Sequence, residues 1–106
     1  MKSETLFRIN KVLPFLKNLA NTYAQPIQQL AFVGSPDFIL SVRGRFVALE
    51  LKSAEGALRP LQSYVLEKIK KSGGVSLVAS PDNWDEVKEI LSDMDRGALQ
   101  WKNKNL

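Results

Sequence analysis

The chain has 106 residues, enough for a single domain with one hydrophobic core but not for two such cores. Hydrophobic residues make up 44% of it and charged residues 25%, the balance of an ordinary globular chain rather than a disordered one. It contains no cysteine and no histidine, which excludes disulfides, zinc sites with Cys or His ligands, and catalytic triads or dyads that need histidine. Any chemistry must therefore come from carboxylates, amines, guanidinium groups, hydroxyls or a metal held by oxygen.

The net charge of +4 understates how basic most of the chain is. Six of the 11 acidic residues lie between positions 82 and 95, where Lys88 is the one base, and outside that segment 14 basic residues stand against five acidic ones. A segregated basic surface is typical of nucleic-acid binders, although a solvated lysine-rich face is a common alternative. No apolar run approaches the roughly 20 residues of a membrane span, and the N-terminus does not read as a secretory signal. We expect a cytoplasmic protein with no membrane partner.

The first predicted element is a helix over residues 3–23. Its apolar residues recur mostly at three- and four-residue steps and so share one helix face: Leu6, Ile9, Val12, Leu13, Leu16, Leu19, Ala20 and Tyr23. Pro14 interrupts the pattern, so we expect either a kink or two short helices with Pro14 in the first turn of the second. Residues 21–29 are largely polar and predict a loop, and residues 30–33 are a candidate edge strand.

Residues 34–52 predict a β-hairpin, because two apolar runs flank Arg43–Gly44 and a glycine in the second loop position suits a tight turn. A turn centred on that dipeptide pairs Asp37 with Glu50. Side chains alternate along each strand, so one face is apolar except for Arg45 and carries Phe38, Leu40, Val42, Val47, Leu49 and Leu51. The other face carries Asp37, Ile39, Ser41, Phe46, Ala48, Glu50 and Lys52.

The second half of the chain predicts a helix, a strand and a helix. The first helix begins at Pro60 and stops before Gly73–Gly74, with Leu61, Val65, Leu66 and Ile69 on its core face. Residues 75–79 form a short apolar strand expected to run parallel to its neighbour, and a last helix ends at Gly97. The basic segment 96–106 is either a frayed terminus or an arm that packs on a partner or on nucleic acid.

These elements predict an α/β fold over residues 1–106. Its small mixed β-sheet consists of the hairpin and a parallel strand reached through the crossover helix, and helices flank the sheet on both sides.

Asp37 and Glu50 are the first candidates for a functional site. Carboxylates directly opposite on neighbouring strands lie roughly 5 Å apart at Cβ and repel each other. A divalent cation such as Mg²⁺ would remove that repulsion, because it prefers carboxylate oxygens. Lys52 shares their face, so two acids and an ammonium converge. The alternative is a hairpin with polar residues on its solvent-facing side, and a one-residue change of register would separate the pair.

The same residues carry a resemblance to a known family. Pro36–Asp37, then Glu50–Leu51–Lys52 on the next strand, then a helix and a strand, resemble the PD-(D/E)xK nuclease superfamily. The wider pattern resembles its VRR-Nuc branch: Gly34-x-Pro36-Asp37-Phe38, followed after the hairpin by Gly56, Leu58 and Gln62 at the opening of the crossover helix. The resemblance covers residues 34–91 and implies a restriction-endonuclease-like core in a stand-alone minimal domain.

The resemblance also implies roles for individual residues. Asp37, Glu50 and the main-chain carbonyl of Leu51 would bind Mg²⁺ or Mn²⁺, and Lys52 would orient or activate the attacking water. Gln62 would lie near the site and bind phosphate or water. Family members usually add an acid from the first helix. Glu4 is the one residue that fits that place, and it is either this ligand or a plain first-turn acid that complements the helix dipole.

The implied activity is a metal-dependent endonuclease that hydrolyses DNA phosphodiester bonds, with preference for Holliday junctions, flaps or other branched DNA. A homodimer is expected, because one small chain offers one site and symmetric cutting of two strands needs two. Such domains are often encoded by phages, which implies a bacterial or phage-infected cell. Candidate contacts to the DNA backbone, each otherwise a solvated base, are Arg43, Arg45, Arg59, Lys68, Lys70 and Lys71.

Two other function classes remain open from the sequence. One is a non-catalytic nucleic-acid-binding module that keeps the nuclease fold, although the intact set of Asp37, Glu50 and Lys52 argues against it. The other is a protein-interaction domain on which the basic surface is incidental.

Overall fold

The computed structural model describes residues 3–28 and 34–98. Its strands are β1 (Thr22–Pro26), β2 (Phe38–Val42), β3 (Arg45–Leu51) and β4 (Val75–Ala79). They form one mixed sheet in the order β1-β2-β3-β4, with β1–β2 and β2–β3 antiparallel and β3–β4 parallel. The helices are α1 (Ser3–Phe7), α2 (Leu13–Lys17), α3 (Pro60–Lys71) and α4 (Trp84–Arg96), and a π-helical turn, Arg8–Val12, joins α1 to α2. The predicted α/β architecture, with a hairpin and a parallel strand, is confirmed.

The β2–β3 hairpin has the predicted register, with Val42 paired to Arg45 across the turn. Both turn residues lie in the left-handed region, Arg43 at φ 49° and Gly44 at φ 85°. A two-residue turn of this kind matches the right-handed twist of the strands. Glycine adopts the conformation without strain, whereas arginine does not. A hydrogen bond offsets this strain, because Arg43 Nε donates to the main-chain carbonyl of Asp95 at 3.0 Å.

The face of the hairpin predicted to be apolar forms the main core. Its side chains pack with those of β4 against α1, α2 and α4, and the fully buried members include Phe38, Leu40, Val42, Val47, Leu49 and Val75. Trp84 of α4 meets Phe7 and Phe15 edge-to-face, with ring centroids 5.4 Å apart in each case. Helix α3 lies on the opposite face, where the Ser76 hydroxyl donates to the Leu66 carbonyl at 2.8 Å. The sheet therefore has helices on both sides, as expected.

The first helical segment differs from the prediction in its buried face. The Leu13 N–H donates to the carbonyl of Arg8, five residues back instead of four. This π turn adds one residue to the helical repeat, so the buried positions step by five from Phe7 to Val12 and then by four to Leu16. The predicted face assumed an unbroken α-helical period. Leu6 and Ile9, which it placed in the core, are therefore exposed.

The C-terminal end of that segment was also predicted wrongly. The helix ends at Lys17, and the predicted loop contains strand β1, which includes Tyr23. Strand β1 lies at the edge of the sheet, where proline is tolerated because one row of N–H groups needs no strand partner. Its residues are exposed or half-buried, so hydrophobicity gave no strand signal. The candidate strand at 30–33 lies outside the described residues.

The second half of the chain follows the prediction closely. Helix α3 has Pro60 at its first position and is capped by Ser72 ahead of Gly73. Val65 and Leu66 are buried, whereas Leu61, predicted to be in the core, is exposed. Helix α4 ends at Gly97, whose φ of 74° provides the left-handed cap. Among the described residues no helix is long and apolar enough to cross a membrane.

Asp95 links the end of α4 to the start of β1. Its side chain is buried, and its Oδ1 accepts hydrogen bonds from the Asn21 N–H at 2.8 Å and from the Thr22 hydroxyl at 2.7 Å. The neighbouring Asp93 is more exposed and pairs with Arg96. Of these two acids, Asp95 is thus a structural residue and Asp93 is a surface residue.

We expect Asp95→Ala to lower the free energy of unfolding by about 3 kcal/mol, because two donors lose a charged acceptor. Asp93→Ala on the same helix should cost about 1 kcal/mol or less, as for other surface ion pairs. Urea denaturation followed by circular dichroism measures both. Equal losses for the two variants would contradict a structural role for Asp95.

Candidate metal centre

The residues predicted to form the site meet at one end of the sheet. Asp37 directly precedes β2, Glu50 is the second-last residue of β3, and Lys52 directly follows β3. Gln62 lies in the first turn of α3. The β2–β3 register, continued by one pair beyond Phe38 and Leu49, sets Asp37 opposite Glu50 as predicted.

Main-chain hydrogen bonds hold the Asp37 side of the site. The Leu51 N–H donates to Asp37 Oδ2 at 2.7 Å, while the Lys52 N–H donates in the opposite direction, to the Ala79 carbonyl of β4 at 2.9 Å. Successive residues of a strand direct their N–H and C=O groups to alternate edges. The Leu51 carbonyl therefore points towards the Asp37 side, where the resemblance expects a main-chain ligand.

Two side chains hold the Glu50 carboxylate through the same oxygen. Gln62 Nε2 donates to Glu50 Oε2 at 2.7 Å, and Lys52 Nζ lies 3.6 Å from that oxygen. The amide of Gln62 is itself fixed, because its Oε1 accepts a hydrogen bond from the Arg59 N–H at 2.9 Å. Gln62 thus contacts Glu50, where the resemblance had expected it to bind phosphate or water. The other Glu50 oxygen, Oε1, is buried and has no hydrogen-bond partner among the described residues.

Burial and a neighbouring negative charge act together on Glu50. Its side chain is 3% exposed, and this burial is the largest cause that raises the pKa of Glu50 from 4.5 to about 7. The charge of Asp37 raises that pKa further and Lys52 opposes the rise. The protonated form of Glu50 is also favoured because, unlike the carboxylate, it can donate a hydrogen bond to the Asp37 carboxyl. The more distant charge of Glu4 adds a smaller increase. On balance, the surroundings of Glu50 therefore oppose its ionisation.

The donor set suits a hard divalent cation. Glu50 Oε1 is a buried oxygen with no partner among residues 3–28 and 34–98, Asp37 lies across from it, and the Leu51 carbonyl faces the same side. Mg²⁺ is commonly bound by one or two carboxylates and keeps several waters, so these oxygens fit it. No cluster of three or more Asp, Glu, His or Cys side chains is present in the described residues. Glu4, half-buried in α1, acts on the site through its charge but does not join such a cluster.

Arg8 belongs to the site and was not predicted. Its Nη1 lies 3.8 Å from Asp37 Oδ1, and its guanidinium carbon lies 4.6 Å from the centroid of the Phe38 ring. The sequence offers one signal, the four-residue spacing between Glu4 and Arg8. That spacing predicts a helix-surface pair and does not point to Asp37, which is distant in sequence.

Of the six candidate DNA contacts, only Arg59 lies beside the site, at the N-cap of α3. Arg43 and Arg45 lie at the hairpin turn, roughly 17 Å along β3 from Glu50 at 3.3 Å per residue. Arg43 is engaged with Asp95, and Arg45 is half-buried. These two arginines are therefore at the opposite end of the sheet from the carboxylates.

The three candidate lysines lie in the last turn of α3: Lys68, Lys70 and Lys71. Lys70 lies about 12 Å along the helix from Gln62 at 1.5 Å per residue. Lys68 Nζ lies 5.9 Å from the centroid of the exposed Tyr64 ring. These lysines flank the site at a distance and do not enter it.

Comparison of the chain with protein-family models, with curated proteins and with solved structures gave no match.

The raised pKa of Glu50 predicts how stability depends on pH. Between pH 4.5 and 7 the folded protein holds a proton that the unfolded chain has released, so the stabilisation is complete below pH 4.5 and is lost as the pH rises through 7. We expect metal-free protein to lose about 3 kcal/mol of unfolding free energy over this interval. Glu50→Gln should remove most of that loss. Urea denaturation in EDTA at a series of pH values measures it.

The matched control is Glu67→Gln, which neutralises an exposed acid on α3. It should keep the wild-type pH dependence. A Glu50→Gln profile as steep as that of the wild type would show that Glu50 titrates normally.

Proposed function

We propose that this chain is a divalent-metal-dependent endonuclease that hydrolyses phosphodiester bonds in DNA. The observation that carries the proposal is the buried Glu50 carboxylate, placed opposite Asp37, one oxygen of which finds no hydrogen-bond partner in the described part of the chain. Burial and the charge of Asp37 both oppose ionisation of Glu50, so the arrangement does not serve stability. It does suit the binding of a cation.

Each residue of the site then has a distinct task. Asp37, Glu50 and the Leu51 carbonyl are the metal ligands, and the hydrogen bond from Gln62 fixes the orientation of Glu50. When bound, Mg²⁺ or Mn²⁺ would lower the pKa of a water and offset charge on the phosphate. Lys52 has three N–H donors and a side chain that is 14% exposed. One donor faces Glu50, and the others hold the attacking water and balance developing negative charge.

The finer fold assignment is part of the same proposal. A restriction-endonuclease-like core of the VRR-Nuc type is supported by the order of hairpin, crossover helix and parallel strand. It is also supported by the position of both acids at the strand ends beside the first turn of that helix. The sequence resemblance over residues 34–91 has the same order.

Branched DNA as substrate and a homodimer as the active form complete the proposal. Two sites related by a two-fold axis would allow symmetric cutting of a junction. Apolar side chains available for burial by a second copy include Phe46 and Tyr64, which are exposed on the α3 side of the sheet, whereas Ile39 is half-buried. Trp101, another candidate, lies outside the described residues. The basic side chains of α3 and Arg59 would contact the DNA backbone without reading sequence.

The alternative is a non-catalytic nucleic-acid-binding module with the same fold. It predicts binding of a junction without hydrolysis and no dependence of binding on the charge of Glu50. The endonuclease needs the carboxylates as metal ligands, whereas the binding module does not. Measurements of cleavage and of metal binding therefore distinguish the two functions.

We expect purified protein to cleave a labelled four-way junction or flap in Mg²⁺ or Mn²⁺ but not in EDTA. Asp37→Asn should reduce cleavage to background, because a ligand is lost while the acceptor for the Leu51 N–H is kept. Lys52→Ala should lower the rate about 100- to 1,000-fold, the usual effect of removing one donor to developing charge. Single-turnover cleavage on denaturing gels measures both, with linear duplex as the reference substrate.

The matched controls are Asp85→Asn and Lys17→Ala, which remove exposed charges from α4 and α2. Both should cleave at the wild-type rate. Failure of the wild type to cut any of the substrates, or unchanged cleavage by Asp37→Asn, would sink the proposal and favour the binding module.

Metal binding provides a readout that does not depend on cleavage. Mn²⁺ at about 100 times its dissociation constant should stabilise the wild type by about 2.7 kcal/mol. It should leave Asp37→Asn almost unaffected and should still stabilise Lys52→Ala, which keeps every ligand. Thermal unfolding with and without Mn²⁺ measures this, and equal Mn²⁺ stabilisation of Asp37→Asn and the wild type would place the cation elsewhere.

A further inference from the structure

Arg8 is held at the site by two contacts of different kinds. Its guanidinium carbon lies 4.6 Å from the centroid of the Phe38 ring, a cation–π contact with a fully buried residue. Its Nη1 lies 3.8 Å from Asp37 Oδ1, within ion-pair range but longer than a hydrogen bond. The side chain is 32% exposed. The guanidinium is thus fixed in place and open to solvent.

The N–H donors of Arg8 are not consumed by these contacts. Arginine has five such donors in a planar fork, and none donates a hydrogen bond to another of the described residues. Asp37 already satisfies its other oxygen, Oδ2, through the Leu51 N–H. Asp37 is therefore anchored by a main-chain donor that is independent of Arg8, and the Arg8 donors are available to an incoming anion.

The location of Arg8 also differs from that of the other cation in the site. Arg8 comes from the helical segment on the core face of the sheet, whereas Lys52 and Gln62 meet Glu50 on the face that carries α3. Asp37 contacts Arg8 of the first layer, and Glu50 contacts Lys52 and Gln62 of the second. A phosphate bound at the carboxylates would thus meet Lys52 from one side and Arg8 from the other.

We propose that Arg8 binds the scissile phosphodiester through its guanidinium fork, and this inference rests on the proposed endonuclease function. Guanidinium matches phosphate oxygens with two parallel hydrogen bonds, which a lysine ammonium cannot do. A cation held by Asp37 would weaken the long ion pair with Arg8, and the guanidinium would then be available to the phosphate. Arg8 then contacts substrate and is a catalytic residue, distinct from the ligands and from Lys52.

The competing role for Arg8 is to position Asp37 for the metal. That role predicts weaker metal binding when Arg8 is removed and no dependence on the charge of the phosphate. Contact with the phosphate predicts that Mn²⁺ affinity is not lost when Arg8 is removed. It also predicts that the contribution of Arg8 to DNA binding depends on the charge of the phosphate. The two roles are separated by measuring Mn²⁺ binding and by neutralising the phosphate.

The first experiment measures equilibrium binding of a fluorescein-labelled four-way junction in Ca²⁺, with gels to verify that the DNA stays intact. Arg8→Ala should weaken binding about tenfold and reduce the salt slope by about one, as for one lost phosphate contact. Arg8→Lys, which keeps the charge but not the planar fork, should bind the junction with an affinity between those of the wild type and Arg8→Ala. Lys11→Ala removes an exposed base from the same π turn and should bind as the wild type does. Calorimetric titration with Mn²⁺ should show no loss of metal affinity in Arg8→Ala.

The second experiment neutralises the phosphate itself. The cleavage position is mapped on a gel, and a methylphosphonate, which removes the negative charge, replaces the phosphate there. Wild type should bind this junction about tenfold more weakly than the natural one, and Arg8→Ala should bind both alike, because the contact is already gone.

The outcomes are distinguishable from failure of the proposed function. A wild type that cleaves, with Arg8→Ala as sensitive to the methylphosphonate as the wild type, overturns the role of Arg8 alone. So does weaker Mn²⁺ binding by Arg8→Ala without any effect on phosphate sensitivity. A wild type that neither binds nor cleaves the junction overturns both proposals. Arg8→Lys and thermal unfolding of Arg8→Ala show whether a loss arises from misfolding.

Discussion

The antiparallel register of β2 and β3 is the constraint on which the site depends. It is set at the Arg43–Gly44 turn, where both residues have positive φ, and it brings Asp37 opposite Glu50 at the far end of the strands. A shift by one residue would move Glu50 to the opposite face, away from Gln62 and into the core. The turn is tied to the end of α4 through the Arg43–Asp95 hydrogen bond. The geometry of the carboxylates is thus fixed by contacts at the opposite end of the sheet.

That register imposes an electrostatic cost. The Glu50 side chain is 3% exposed and lies beside a second acid, so its charged form is destabilised. This destabilisation raises the pKa of Glu50 to about 7. Lys52 and the amide of Gln62 offset part of this cost, but no group of the described residues donates to Oε1. Local conflicts of this kind cluster at functional sites, where ligand binding resolves them.

Sequence patterns identified the parts of the fold that are regular and strongly buried. The hairpin, its register, α3, β4 and α4 were predictable, because their apolar periods and their glycine and proline boundaries agree with one another. The first helical segment was not, because the π turn ahead of Pro14 shifts the buried face by one residue and exposes Leu6 and Ile9. Strand β1 was missed because its sequence, Thr-Tyr-Ala-Gln-Pro, does not alternate between apolar and polar residues. The proximity of Asp37, Glu50, Lys52 and Gln62 was predictable from the register and from the sequence resemblance, whereas the position of Arg8 depends on the irregular turn and on packing over Phe38.

The charges of the site explain why Arg8 and a cation would act together. Asp37 and Glu50 face two cations, Arg8 and Lys52, so the ionised site without ligand is close to neutral and attracts a phosphate weakly. A dication held by the two acids would make it strongly positive and weaken the ion pair between Arg8 and Asp37. A phosphate would in turn balance that excess charge and favour retention of the cation. Because coupling between two ligands is reciprocal, DNA should bind more tightly with the cation present, and the cation more tightly with DNA present. An arginine that only neutralised Asp37 would oppose metal binding and give no such coupling.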